Sequence, residues 1–204
     1  MDGRTERGDR TRQTVAVRAA ALASVDGLAG MTLGQLADSL GLSKSSVQAA
    51  FATKEDLQVA AIGAATDVFV TNVIAPAQAE PEGLPRLRAM IEAWLAYVER
   101  RVFPGGCFMV STLAEFDSRP GPVRDALARS RRGWVRALER QVAVAQRAGD
   151  LPAEPAADVL AFEIDAVLAA ANVARNLGDD DAPLTMARDL LAVRLSSPRS
   201  RRRK

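Results

Sequence analysis

Within six consecutive positions the chain places Lys44, Ser45, Ser46, Gln48 and Ala49, a set of small, polar or basic side chains. Their chemistry is that of contact with base edges and phosphates. The Gln48 amide donates and accepts at once, as an adenine edge requires; Lys44 can reach a guanine or a phosphate; Ala49 offers a methyl group to thymine. Ser43, Ser45, Ser46 and, upstream, Thr32 carry short hydroxyls suited to phosphate oxygens, which set position but not sequence. Val47 and Phe51, four residues apart, are expected to face the other way, into a core.

A second group suggests an apolar pocket. Trp94, Cys107, Phe108, Phe116, Trp134 and Phe162 lie on segments expected to converge, with Glu115, Asp165 and Asn172 as polar anchors. Aromatic residues make up only 4% of the chain, so their grouping is the hint. The plainer reading is that large aromatics in an Ala-rich protein form the core. Glu115 and Asp165 also admit an enzymatic reading, but there is no His in the chain. That removes Ser-His-Asp triads and His-based zinc sites, and no nucleophile is paired with a base. No glycine-rich nucleotide loop is present, so neither cofactor nor metal is expected. Cys107 is the only cysteine; a structural thiol is expected over a redox sensor, because no second Cys could resolve an oxidised one.

The elements that must position the first group are legible nearby. Leu33, Leu36, Ala37 and Leu40 recur at helical spacing. Thr32 with Gln35 three residues on makes a capping box, Gly41 supplies a turn, Leu42 is expected to tuck inward, and Ser43 can cap a second short helix over 44–50. Thr53 with Asp56 caps the next helix, whose first residue, Lys54, is expected to meet a phosphate together with the free amides there. Two short helices about a Gly turn match the helix-turn-helix motif.

The segment GLSKSSVQAAFATKEDL resembles the DNA-binding signature of TetR/AcrR-family transcriptional regulators. The resemblance runs residue by residue over about 12–57, and elsewhere by helix pattern and length. It implies an all-helical homodimer with an N-terminal DNA-reading domain and a C-terminal ligand-sensing domain. It also implies a backbone contact for Lys54. Where that family usually has an aromatic and then a His in the recognition helix, this chain has Gln48 and Ala50, so the phosphate contacts of those side chains are absent.

The remaining chain reads as further helices, about nine in all. Residues 1–10 are expected to form a mobile arm. The first helix spans 12–26, with Val15, Ala19, Leu22 and Val25 inward. Later helices are expected over 55–75, 84–103, 107–116, 122–148, 155–177 and 183–195, punctuated by Pro and Gly. The 155–177 segment is apolar on two sides, which calls for two partners: its own core and the same helix of a second subunit, with 183–195 adding to that surface. The expected domains are therefore 1–54, with the helix-turn-helix and its arm; 55–195, regulatory and dimerising; and 196–204, a basic tail. Formal charge follows this division, at +2 over 1–54, −6 over 55–193 and +6 over 194–204. Neither a secretory signal nor a membrane span is expected, since Arg18 interrupts the apolar run at 15–25 and Asp67 sits within 57–79.

The expectation is a cytoplasmic, ligand-responsive regulator that binds a double-stranded DNA operator as a homodimer and releases it when a small apolar effector binds. The alternatives are a helical interaction module whose helix-turn-helix no longer binds DNA, and an enzyme using Glu115 and Asp165.

Overall fold

Capping residues and Pro/Gly breaks cut the chain into helices joined by short turns. The computed structural model describes residues 3–196, and among them there is no strand. The helices are α1 (Gly3–Asp26), α2 (Leu33–Leu40), α3 (Lys44–Ala50), α4 (Lys54–Ala77), α5 (Leu84–Glu99), α6 (Phe108–Phe116), α7 (Pro122–Ala148), α8 (Ala157–Gly178) and α9 (Ala182–Arg194). The fold is all-α, with an N-terminal helix-turn-helix followed by a larger helical region. The basic tail expected beyond Ser196 lies outside the described residues.

The chain divides into two compact units. One comprises Met1–Val70 with Arg101–Arg131, and the other Thr71–Arg100 with the residues from Arg132 onward. The first unit is built on α1, which packs against α4, α6, α2 and α3. Its core is dominated by small side chains: Val15, Ala16, Ala19, Ala20 and Ala23 of α1, with Leu57, Ala61, Ile62 and Ala65 of α4. Alanine faces let helix axes approach closely, so little space is left unfilled. By length and composition α4 could cross a membrane, but its buried residues are those of a core helix packed on α1. In the second unit, α9 packs on α8 and α5. Leu87, Trp94, Leu95, Leu138, Val142, Ile164, Leu168, Leu184 and Leu191 are buried there.

Several element ends differ from those expected. Helix α1 begins at Gly3, so residues 3–10 are helical and not an arm. Nothing in that polar stretch breaks a helix, and extending one already nucleated by packing costs little per residue. Val25 is 64% exposed, the last turn of α1 having rotated it out of the core. Helix α4 does not end before Pro76. A π-helical turn at Val70–Ile74 widens the backbone ahead of the proline, which has no N–H to give and would crowd the preceding turn. Helix α5 stops at Glu99, four residues early, because Arg101 adopts a left-handed conformation (φ 50°).

Candidate nucleic-acid interface

Each helix of the helix-turn-helix starts on a satisfied cap. Thr32 Oγ1 accepts from Gln35 N (3.2 Å) while Gln35 Oε1 accepts from Thr32 N (3.1 Å). Gly41, at φ 63°, ends α2, and Leu42 N then reaches back to Ala37 O (3.0 Å). Glycine takes this conformation without a Cβ penalty. Leu42 itself is exposed at 36%, against expectation, because that backbone bond turns it outward. Ser43 Oγ accepts from Ser46 N (3.1 Å) and lies 2.9 Å and 2.8 Å from the hydroxyls of Ser45 and Ser46. Thr53 and Asp56 make the second reciprocal cap, at 3.0 and 3.1 Å.

Helix α3 is sharply two-sided. Val47 is fully buried and Phe51, which caps it, is 5% exposed. Lys44, Ser45, Ser46, Gln48 and Ala49 are all exposed. The Lys44 side chain crosses Gly34: a Cβ there would stand 3.2 Å from Lys44 Cε and 3.9 Å from Thr32 Oγ1. Lys44 and Thr32, twelve residues apart and on different elements, therefore share one patch. Lys54 is exposed, and its Nζ donates to Ala29 O at 2.8 Å.

Residues that the periodicity did not mark hold α3 in place. Arg12 donates from Nη1 to the carbonyl of Ala50 at the end of α3, and its guanidinium lies 4.3 Å from the centroid of the Phe51 ring. Arg18 donates to Ser39 Oγ (3.0 Å), tying α1 to α2. Both arginines look like ordinary surface cations in the sequence. Only the tertiary approach of α1 to α2 and α3 gives them partners.

Glu115 does not serve as a pocket anchor. Its two carboxylate oxygens accept from the consecutive amides of Leu28 (2.9 Å) and Ala29 (2.8 Å), in the turn between α1 and the helix-turn-helix. Gly27, at φ 76°, makes room for it, since a Cβ there would lie 2.7 Å from Glu115 Oε1. Gln58 and Lys54 take the carbonyls of the same turn, Leu28 O and Ala29 O, each at 2.8 Å. Gly105 presses on α1 so closely that a Cβ would meet Ser24 O at 1.8 Å, and its N–H donates to Ser24 Oγ (3.0 Å). The turn that leads into α2 is thus held from α4 and from the α6 region, all within the first unit.

The other candidates for a pocket fall in two groups. Cys107 and Phe108 are buried in the first unit, Phe108 with its ring centroid 6.0 Å from that of Phe103. Phe116 is half-buried there beside the Arg119 guanidinium. In the second unit Trp94 and Asn172 are buried, and Trp134 Nε1 donates to Asp165 Oδ1 (3.0 Å), so these two are brought together. Phe162 is not core: it is 63% exposed, on the outer side of α8. A cleft of about 190 Å³ between α5 and α9 is lined by Arg88, Ile91, Glu92, Arg188, Leu191, Ala192 and Leu195, none of them a candidate. Glu92 holds Arg188 there at 3.0 Å and raises its already high pKa.

Residues 83–191 match the family model of the tetracyclin repressor-like C-terminal domain. The chain belongs to the TetR family. Members of that family are ligand-responsive DNA-binding transcription regulators. Similar solved structures include a TetR regulator from Chloroflexus aurantiacus, 26% identical, covering 92% of this chain and 95% of that one with a TM-score of 0.84. A TetR-family regulator from Cytophaga hutchinsonii, 21% identical, covers 93% and 94% with a TM-score of 0.79. AibR, whose structure holds isovaleryl coenzyme A and operator DNA, shares the fold at 19% identity, 92% and 99% coverage, and a TM-score of 0.71. Among curated proteins none matches.

Proposed function

We propose that the protein is a cytoplasmic homodimeric repressor that holds a near-palindromic operator through two copies of α3 and releases it when a small molecule binds the C-terminal region. The observation that carries this reading is the two-sidedness of α3: Val47 and Phe51 are committed to the core while Lys44, Ser45, Ser46, Gln48 and Ala49 are left to solvent. In this reading Gln48 is the main base reader, Lys44 and Ala49 assist it, and Thr32, Ser43, Ser45, Ser46 and Lys54 meet phosphates. Residues 1–54 are the reading head, residues 55–195 the sensing and dimerising body, and 196–204 a basic extension.

One short helix makes few base contacts. Two copies roughly 34–36 Å apart read both halves of a palindrome. The surface for pairing is available on α8 and α9: Val159, Phe162, Val173 and Leu177 on one helix, and Met186, Leu190 and Val193 on the other, are exposed and apolar. Ala166 and Ala170 lie exposed between them and permit close approach. Isologous packing of this helix pair on its copy covers that face. The effector pocket in the body is assigned to Trp94, Trp134, Asp165 and Asn172, all of the second unit.

The test is a gel shift on the DNA upstream of the protein's own gene, across a salt series. Lys44→Ala removes one cation from each half-site and is expected to weaken binding and to lower the salt slope by about one per half-site. Gln48→Ala is expected to cost about 1–3 kcal/mol per half-site, confined to particular bases. Binding unchanged by both would leave the interaction-module reading in its place.

A further inference from the structure

The core-facing side of α8 changes character along its length. Ile164, Leu168 and Ala171 are buried and apolar, whereas Asn172 and Arg175 on the same face are buried at 1% and 3% exposure. An arginine in the last turn of a helix ordinarily reaches water or the terminal carbonyls. Arg175 turns inward instead. Its Nε donates to Asp181 Oδ1 at 2.6 Å, and that carboxylate is itself 54% exposed. Its Nη1 is buried and has no acceptor among the described residues. A guanidinium is permanently charged and carries five donors in a rigid fork, so a buried edge without an acceptor is unfavourable until something supplies one.

We infer that the Nη1 edge of Arg175 is the anchor for an oxyanion, and that the effector is an amphipathic organic anion whose carboxylate or phosphate head sits on Arg175. The inference rests on the reading of this chain as an effector-responsive regulator, and it names the class of effector. The geometry of the group supports it, because a planar fork matches a carboxylate or phosphate and gives short, charge-assisted bonds.

The experiment is calorimetric titration of the full-length protein with three probes of one chain length: octanoate, octyl phosphate and octanol. Either anion is expected to bind at least about tenfold more tightly than octanol, the margin of a charge-assisted over a neutral contact. Whichever anion leads assigns the head group. Arg175→Gln is expected to abolish the preference, while Arg188→Gln, on another helix, is expected to retain it. If Arg175→Gln does not fold by circular dichroism, the comparison of anion with alcohol on the unaltered chain decides alone. Octanol binding as tightly as octanoate, no binding of any probe, or a preference that survives Arg175→Gln overturns the inference. Anion binding that leaves operator affinity unchanged keeps the Arg175 site and removes effector-driven release; release by octanol alone does the reverse.

Discussion

Glu115 and Arg12 act on the reading head without facing DNA. The Glu115 carboxylate gives one oxygen to each of two consecutive amides. Glu115→Gln keeps the shape but leaves an amide nitrogen where an acceptor is needed. Bonds to charged groups are worth about 1.5–3 kcal/mol, and partial exposure brings the expected loss to the lower end. A melting midpoint lower by a few degrees, together with weaker operator binding at unchanged base preference, is the expected result by thermal denaturation and gel shift. Arg12→Ala removes a stacked cation worth about 0.5–1 kcal/mol at an exposed site, along with the bond to Ala50 O. It is expected to weaken binding to every sequence several-fold, as a loosened α3 would, and to leave the salt slope nearly intact. Neither role was legible beforehand. Glutamate on a short apolar helix suggests a pocket anchor, and nothing in local sequence shows that its partners lie 86 and 87 residues away.

Local signals served best where they determine structure locally. Thr32–Gln35, Ser43 and Thr53–Asp56 cap their helices as the spacing predicts, because a cap is satisfied within four residues. Ends fixed by tertiary packing or backbone conformation were less legible: the start of α1, the π-helical turn before Pro76, and the left-handed Arg101 that cuts α5 short. Helix α8 shows both sides of this. Its two apolar stripes were readable as periodicity, and the structure makes one of them core while leaving Phe162 and Val173 outside. The same division shows why Phe162 fails as a pocket residue: it belongs to the outer stripe. Phe162→Asp with Leu190→Asp should therefore convert a dimer to monomers in sedimentation at micromolar concentration without loss of helicity. By contrast, Leu36→Ala, in the core of the first unit, should cost about 2–5 kcal/mol and unfold the reading head, read out by denaturant titration.

At the scale of the whole molecule, DNA reading is assigned to α3, dimerisation to α8 and α9, and sensing to the C-terminal region. Charge supports that assignment, with basic ends and an acidic middle. Family membership settles the class of function, while the operator contacts rest on the exposed side of α3. The most direct measurement is the base preference of the full-length protein selected from random duplex DNA, compared with that of Gln48→Ala. The account predicts two symmetric half-sites centred about 10–10.5 base pairs apart, or a multiple of that spacing, with preference relaxed by the substitution at the same position in both. A selected site with no symmetry, or a preference that Gln48→Ala leaves untouched, would contradict it.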